Sequence, residues 1–452
     1  MSFLSAFSRP GQTRLPPGPR SALLQVPLYL RRADLYYRTC LARYGDPFTE
    51  PTLFGPQVVT GRPEGARQLF ALPPDASESF SPALGPVVGP TSLLIANGEV
   101  HRRGRRLLAP AFGAARLSAL APVVFDLATR RAESLDPSRR HDALALAQEV
   151  TLDAIMRIVF GVRDPRNAAA LRAEVVTLVE HTSVATLAPL SYPWFRRAFG
   201  ALPPWSRLSA AMERLDALLF DIVEHGGGEV LPDTIFALLL AARNDDGRPL
   251  SREELRDHLL TLLLAGHDTT ASTVAWGVYE LCRHPAAIAE LRRSTRGQSP
   301  LEVAESPFAN ALTSELLRLH PVIARVGRKL RRPMDLCGFE LPAGVAAAVS
   351  IDALHHDPAL YPDPDRFVPE RFLQRSYGAH EYVPFGGGVR RCIGAPLAKL
   401  ELPVILTAFF RALDFELLDS GEVVPERRAL TFAPRGRVPV RTRPRGAEHP
   451  SR

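Results

Sequence analysis

The chain has 452 residues, 46% of them hydrophobic and 23% charged, with a formal net charge of +7. That is enough apolar material for a large core, which excludes a disordered chain. Its four cysteines, Cys40, Cys282, Cys337 and Cys392, stand too far apart for a disulfide framework, a zinc site or an iron–sulfur cluster.

The charge is almost all arginine, Lys329 and Lys399 being the only lysines. It is not interleaved with aromatics or set in a nucleic-acid motif, so no nucleic-acid partner is expected, and an acidic protein partner suits it better. The first ten residues are too short and too polar to span a bilayer and lack the pattern of a signal peptide. A soluble, cytoplasmic protein without a membrane anchor is expected.

In chain order, residues 1–20 read as a mobile, proline-rich lead-in ending in Leu15-Pro16-Pro17-Gly18-Pro19-Arg20. Residues 52–60 read as a hairpin. From about 100 to 320 the apolar residues recur at three- and four-residue spacing, predicting helices, with breaks at 188–205 and 225–232 where prolines and a Gly-Gly-Gly run gather. One long helix is predicted from Ser251 to about Cys282: Ser251 and Glu254 form a capping box, and Leu255, Leu259, Leu262 and Leu263 supply a buried face. Short β segments follow Pro321, and a last helix runs from Ala395 to about Leu413. Residues 441–452, basic and proline-rich, read as a disordered tail. The fold class is mainly α with a small β portion, in a single catalytic domain over 21–440. The elements do not alternate as β-α-β, which disfavours a dinucleotide-binding fold.

Four segments carry chemistry. The strongest is Phe385-Gly386-Gly387-Gly388-Val389-Arg390-Arg391-Cys392-Ile393-Gly394. Its glycines allow a tight turn that brings backbone N–H groups toward the sulfur, and a helix start beside Arg390 favours thiolate, the form that binds a metal. A lone Gly-Cys-Gly would read as a packed cysteine in a turn; ten residues in this order do not. The second is Ala265-Gly266-His267-Asp268-Thr269-Thr270, inside the long helix. Glycine and threonine there weaken the helical ladder and predict a local opening, beside which an acid and an alcohol can relay protons. The third is Glu315-Leu316-Leu317-Arg318, which pairs an acid and a base on one helix face and is followed later by Pro369-Glu370-Arg371-Phe372. The fourth, residues 101–108, places His101 and Arg105 on one helix face, with Arg102, Arg103 and Arg106 reading as solvated charge.

These segments, in this order, resemble the cytochrome P-450 family, whose cysteine loop has the form F-x-x-G-x-R-x-C-x-G. Phe385, Gly388, Arg390, Cys392 and Gly394 match every fixed position, and the resemblance spans roughly residues 15–440. It implies a triangular prism with haem b (iron protoporphyrin IX) held between the long central helix and the cysteine-loop helix. It makes Cys392 the iron ligand, with Phe385 tuning the sulfur, Arg390 and the pair His101 and Arg105 on the propionates, and Ala265 and Gly266 against the haem face. Arg328 is the further propionate partner, with Arg325 its rival. Asp268 and Thr269 would deliver protons for cleavage of dioxygen, and Glu315, Arg318 and Arg371 would form a structural network.

The implied activity is monooxygenation, hydroxylation or epoxidation, of an apolar small molecule. NAD(P)H-derived electrons would come through a separate ferredoxin- or flavodoxin-type partner with its reductase, because no such module is fused. Arg102, Arg103, Arg106, Arg391 and Lys399 are candidates for docking it. The pocket is expected from residues 80–98, 184–205, the long helix, 322–326 and the turn at 430–432, including Leu93, Leu94, Leu264, Ile323 and Phe432. A peroxide-driven peroxygenase and a non-catalytic haem sensor are the alternatives; the acid–alcohol pair weighs against both.

Overall fold

The computed structural model describes residues 15–445, apart from short stretches within 23–31, 53, 80–83, 162–164, 183–191, 226–233, 245, 420 and 429–430. The chain falls into two compact units, each assembled from discontinuous pieces: residues 1–80, 324–364 and 378–391 in the smaller, and 81–323, 365–377 and 392–452 in the larger.

The smaller unit is built on a five-stranded sheet in the order Phe48–Thr52, Gly55–Thr60, Ala346–Ser350, Arg325–Leu330, Ser77–Ser79. Its first two strands are the expected hairpin, begun earlier than the sequence indicates because Phe48 pairs with Val59. The second runs parallel to Ala346–Ser350, with Gln57 opposite Ala346. Ala346, Ala347, Ala348 and Val349 are all buried, as befits a strand covered on both faces. This pairing of distant segments is what divides the chain. The proline-rich lead-in is not a free hinge where it is described: Thr49 donates from its backbone to the Pro17 carbonyl at 2.9 Å and from its hydroxyl to that of Pro16 at 2.7 Å. Residues 1–14 lie outside the described residues.

The larger unit is organised around the central helix Arg252–Arg283, with the Ser251–Glu254 capping box as expected and Leu255, Leu259, Leu262 and Leu263 buried. It is buried around most of its girth, the pattern of an interior helix. It packs on Ala143–Ile155, Trp205–His225 and the cysteine helix Ala395–Ala412. Gly277 permits the close approach, since a Cβ there would lie 2.8 Å from Leu406 and 3.0 Å from Leu316. In the 188–205 break, Pro193 opens the short helix Pro193–Phe199 and Trp205 opens Trp205–His225. The break at 225–232 falls outside the described residues but for its first position.

The C-terminal expectation needs correcting. Strand Pro439–Pro444 pairs antiparallel with Leu413–Leu417, from Val440 opposite Leu417 to Pro444 opposite Leu413. Val440 and Thr442 point inward while Arg441 and Arg443 lie on the exposed side with Glu416. A period-two strand was hidden under its arginines. Residues 446–452 lie outside the described residues.

Candidate functional site

In the smaller unit the glycines of the cysteine loop have a specific steric task. Gly386 and Gly388 take left-handed φ of 62° and 63°, and a Cβ on Gly387 or Gly388 would fall 2.2 Å from the Phe70 ring or 2.1 Å from the Phe70 carbonyl oxygen. The loop therefore lies flat on Phe70, and the turn ends in a short helical segment, Gly388–Arg390. Phe385, just before it, is half-buried.

Arg325 and Arg328 differ in their neighbours. Arg325 faces Glu50 at 3.7 Å and hydrogen-bonds the Gln57 side chain, so its charge is already matched. Arg328 is buried, donates to the Gly327 carbonyl at 2.9 Å, and is pushed down to about 10, first by burial and then by the positive charge of Arg390. A buried guanidinium with the positive charge of the half-buried Arg390 acting on it suits an anionic group.

In the larger unit Cys392 is exposed. Two residues on, Gly394 caps the cysteine helix, with Pro396 in its first turn. A Cβ on Gly394 would stand 3.9 Å from both the Cys392 sulfur and Phe112. Midway along, the central helix is least covered at Ala265, which is exposed, with Leu264, Gly266 and Thr269 half-buried and buried residues before and after; a Cβ on Gly266 would stand 2.9 Å from Ile155. The expected break in the ladder is not there, because the helix runs continuously from Arg252 to Arg283. Room comes from the short side chain of Ala265 instead. Thr269 does bond back to the preceding turn as expected, its hydroxyl donating to the Ala265 carbonyl at 2.8 Å.

Asp268 is buried and held at both oxygens, by the Gln148 amide at 3.2 Å and the Thr431 hydroxyl at 2.6 Å. His267 is buried against Thr151 at 3.0 Å and is pushed down to about 4 by burial, so it is neutral. Behind this stretch, Glu401 of the cysteine helix is buried, hydrogen-bonded to Thr270, and pushed up to about 8 by burial.

The acid–base network is closed. Arg318 donates to the two Glu315 oxygens at 2.7 and 2.8 Å, and Arg371 to Glu315 at 3.1 Å. The Val368 backbone also donates to Glu315 at 2.9 Å, and Arg318 reaches the Arg366 carbonyl at 3.1 Å. Glu315, Arg318 and Arg371 are all buried. His101 is buried and Arg105, one turn on, half-buried. Arg103 is not solvated charge: it pairs with Glu254 at the start of the central helix. Arg102 likewise pairs with Glu99 but is exposed, as are Arg106, Arg391 and Lys399.

Of the pocket residues, Leu93, Leu94, Leu264 and Ile323 are half-buried. Phe432 is packed away, its backbone N–H on the Val322 carbonyl at 2.9 Å. The described part of 184–205 is no pocket wall at Tyr192, Trp194, Phe199 and Leu202, which are exposed. The 85–97 segment is fastened to the central helix by a cluster that the sequence did not announce. Arg256 binds Asp216 at 2.7 and 3.0 Å and Asp257 at 3.0 Å, and Asp257 accepts from Thr91 at 2.8 and 3.0 Å.

This donor set fits an iron porphyrin. An exposed thiol ahead of a helix start is a donor of the type that such a group takes from protein. The uncovered face at Ala265 suits a flat apolar surface, and the Arg328–Arg390 pair suits carboxylates. A family model described as Cytochrome P450 matches residues 16–437. The chain belongs to the cytochrome P450 family.

Two relatives from Mycobacterium tuberculosis illustrate the likeness. Putative cytochrome P450 135B1 is 34% identical over 95% of this chain and 91% of its own length, and putative cytochrome P450 138 is 31% identical over 97% and 99%. Among solved structures, one described as retinoic acid bound cyanobacterial CYP120A1 superposes with a TM-score of 0.83 at 25% identity, covering 96% of this chain and all of that one. The family's fold is the mainly α one expected, and its members are haem-containing monooxygenases, so this P450 is an oxidoreductase of that class. Sequence reading missed Gln148, Thr431, Thr151 and Glu401, each a polar residue in an apolar or β context whose partner is far away in the chain.

Proposed function

We propose that the protein is a haem b monooxygenase that inserts one oxygen atom from dioxygen into an apolar small molecule, with Cys392 as the thiolate ligand. Electrons come from NAD(P)H through a separate acidic ferredoxin or flavodoxin and its reductase, and the protein works in the cytoplasm. The observation that carries this is the complete cysteine loop, with an exposed sulfur directly before the capped end of Ala395–Ala412. Bound haem supplies the dioxygen chemistry.

The chain's own groups bind, orient and move protons. The positive end of the cysteine helix favours the ionised sulfur at 392. Arg328, Arg390, His101 and Arg105 supply positive charge and donors for propionates, with Phe385 beside the ligand and Ala265 and Gly266 offering a smooth face. Thr269 must turn its hydroxyl from the Ala265 carbonyl to hand a proton outward. Asp268 stays poised one residue away, held by Gln148 and Thr431. Leu93, Leu94, Leu264 and Ile323 give the substrate an apolar surface.

The test is the spectrum of the reduced, CO-treated protein, together with substrate-dependent NAD(P)H consumption in the presence of ferredoxin and reductase. A thiolate-type Soret band that Cys392→His replaces by a nitrogen-ligated one is expected; a band unchanged in that variant overturns the assignment. Turnover with peroxide but none with any reductase system assigns a peroxygenase instead.

A further inference from the structure

We propose that the Thr431 hydroxyl is the positioning group that lets Asp268 give up and regain a proton while staying buried; this deepens the monooxygenase reading and rests on it. Thr431 opens the strand Thr431–Pro434, which packs on the central helix and pairs with Pro425–Arg428, Thr431 opposite Arg428. Its hydroxyl lies between two acceptors, 2.6 Å from an Asp268 carboxyl oxygen and 3.1 Å from the Arg428 carbonyl. A hydroxyl has one hydrogen and donates it to one acceptor at a time. With Asp268 ionised, its oxygens only accept, so Thr431 donates to it, and the 2.6 Å separation suits a hydrogen bond to a charged oxygen. With Asp268 protonated, the carboxyl donates to Thr431 and the hydroxyl turns its hydrogen to the Arg428 carbonyl. The proton leaves toward the Thr269 hydroxyl, next along the helix, and is replaced from water: one O–H bond breaks at Asp268 and one forms at the accepting oxygen. Each gain or loss is answered by one rotation of the Thr431 hydroxyl, with both side chains bonded in either state.

The surroundings suit a group that holds still while its charge changes. Asp268 and Thr431 are both buried, and the other carboxyl oxygen is fixed by the Gln148 amide at 3.2 Å. Gln148 donates in both states, so it orients the carboxyl without responding to its proton. The strand is anchored next to Thr431, where the Phe432 N–H meets the Val322 carbonyl at 2.9 Å. The titratable and charged groups around this carboxyl come from four elements. His267 on its own helix is pushed down to about 4 by burial and is neutral, and the charges of Arg172 on Pro165–His181 and Arg428 on Pro425–Arg428 act on it. Glu401 of the cysteine helix stands behind Thr270 and is pushed up to about 8 by burial. Arg428 adds a further observation: its Nη1 is buried and has no hydrogen-bond partner among the described residues. A cation nearby but not bonded to the acid favours the ionised state without pinning the carboxyl as a direct ion pair would.

The experiment is an infrared pH titration of the full-length, ferric, haem-loaded protein, with the Asp268 bands identified by subtracting Asp268→Asn. In the wild type the protonated carboxyl should absorb as a hydrogen-bonded donor; the frequency of a free carboxyl overturns the proposal without any change at position 431. Thr431→Val keeps the shape and removes the hydroxyl. The ionised acid then loses a charge-assisted hydrogen bond, so the protonated band should persist to higher pH by about one unit or more, and Thr431→Ser should restore the wild-type titration. In turnover with ferredoxin and reductase the valine variant should release more peroxide per NAD(P)H consumed, again with rescue by serine, while its CO spectrum stays of the thiolate type. A titration or a peroxide share unmoved by Thr431→Val, or moved equally by Thr431→Ser, overturns the proposal. A wild-type CO spectrum without the thiolate band overturns instead the reading on which it rests, so the two failures are told apart.

Discussion

Glu315 shows how one buried charge organises a core. Its carboxylate answers two guanidiniums and a backbone N–H in a region with no access to water. Glu315→Gln would leave Arg318 and Arg371 buried with their charge uncompensated, a loss of about 3–5 kcal/mol, to be read from denaturant unfolding. Glu401 and His267 set opposite pH slopes. Burial holds the Glu401 carboxyl protonated up to about 8. As pH rises from the ordinary carboxylate range toward 8 the unfolded chain releases that proton and the folded one keeps it, so stability falls with rising pH across this window. His267 stays neutral down to about 4. Stability is therefore lost as pH falls from about 6.5, where the unfolded imidazole charges, toward 4. Glu401→Gln should flatten the alkaline limb of the thermal midpoint against pH and leave the acidic limb; an unchanged alkaline limb refutes the assignment.

The central helix owes its start to a local signal and its place to packing. Ser251→Ala removes the hydroxyl that accepts from Glu254, at a cost of about 1 kcal/mol. Glu254 has a second task in its pairing with Arg103. Glu254→Gln, which keeps an acceptor for the box while removing the charge, should therefore destabilise by breaking that bridge alone. Denaturation of the two variants and Arg103→Ala in a double-mutant cycle separates the terms, with coupling expected between 103 and 254 and none between 103 and 251. The cysteine loop works the other way, since its glycines are required by contact as well as by conformation. Gly388→Ala combines a left-handed φ with a Cβ against the Phe70 carbonyl and should cost haem content, read as the ratio of Soret to protein absorbance.

Each unit carries a feature that suits a bound group. The smaller holds the Arg328–Arg390 pair, and the larger the least covered stretch, at Ala265, of its most buried helix. Haem-stripped protein should melt at a lower temperature than the haem-loaded form, and added haem should restore the difference, rising with the logarithm of free haem once the site is filled. Calorimetry reads both. Among the described residues no single helix is long and apolar enough to cross a membrane.

The sequence by itself determined whatever depends on neighbours in the chain. That covers the Ser251 cap, the helix around Asp268 and Thr269, the loop that delivers Cys392, and the family to which those motifs belong. Glycine conformations, caps and helical periodicity are short-range effects and are legible in a dozen residues. The partners of Asp268, the differing neighbours of Arg325 and Arg328, the pairing of Arg103 with Glu254, and the strand beneath Arg441 and Arg443 were decided only by tertiary structure. In each case the deciding term is burial or pairing between segments far apart in the chain, such as Gln57 beside Ala346 or Thr431 on Asp268, and local pattern carries no record of which distant surface will exclude water from a given side chain.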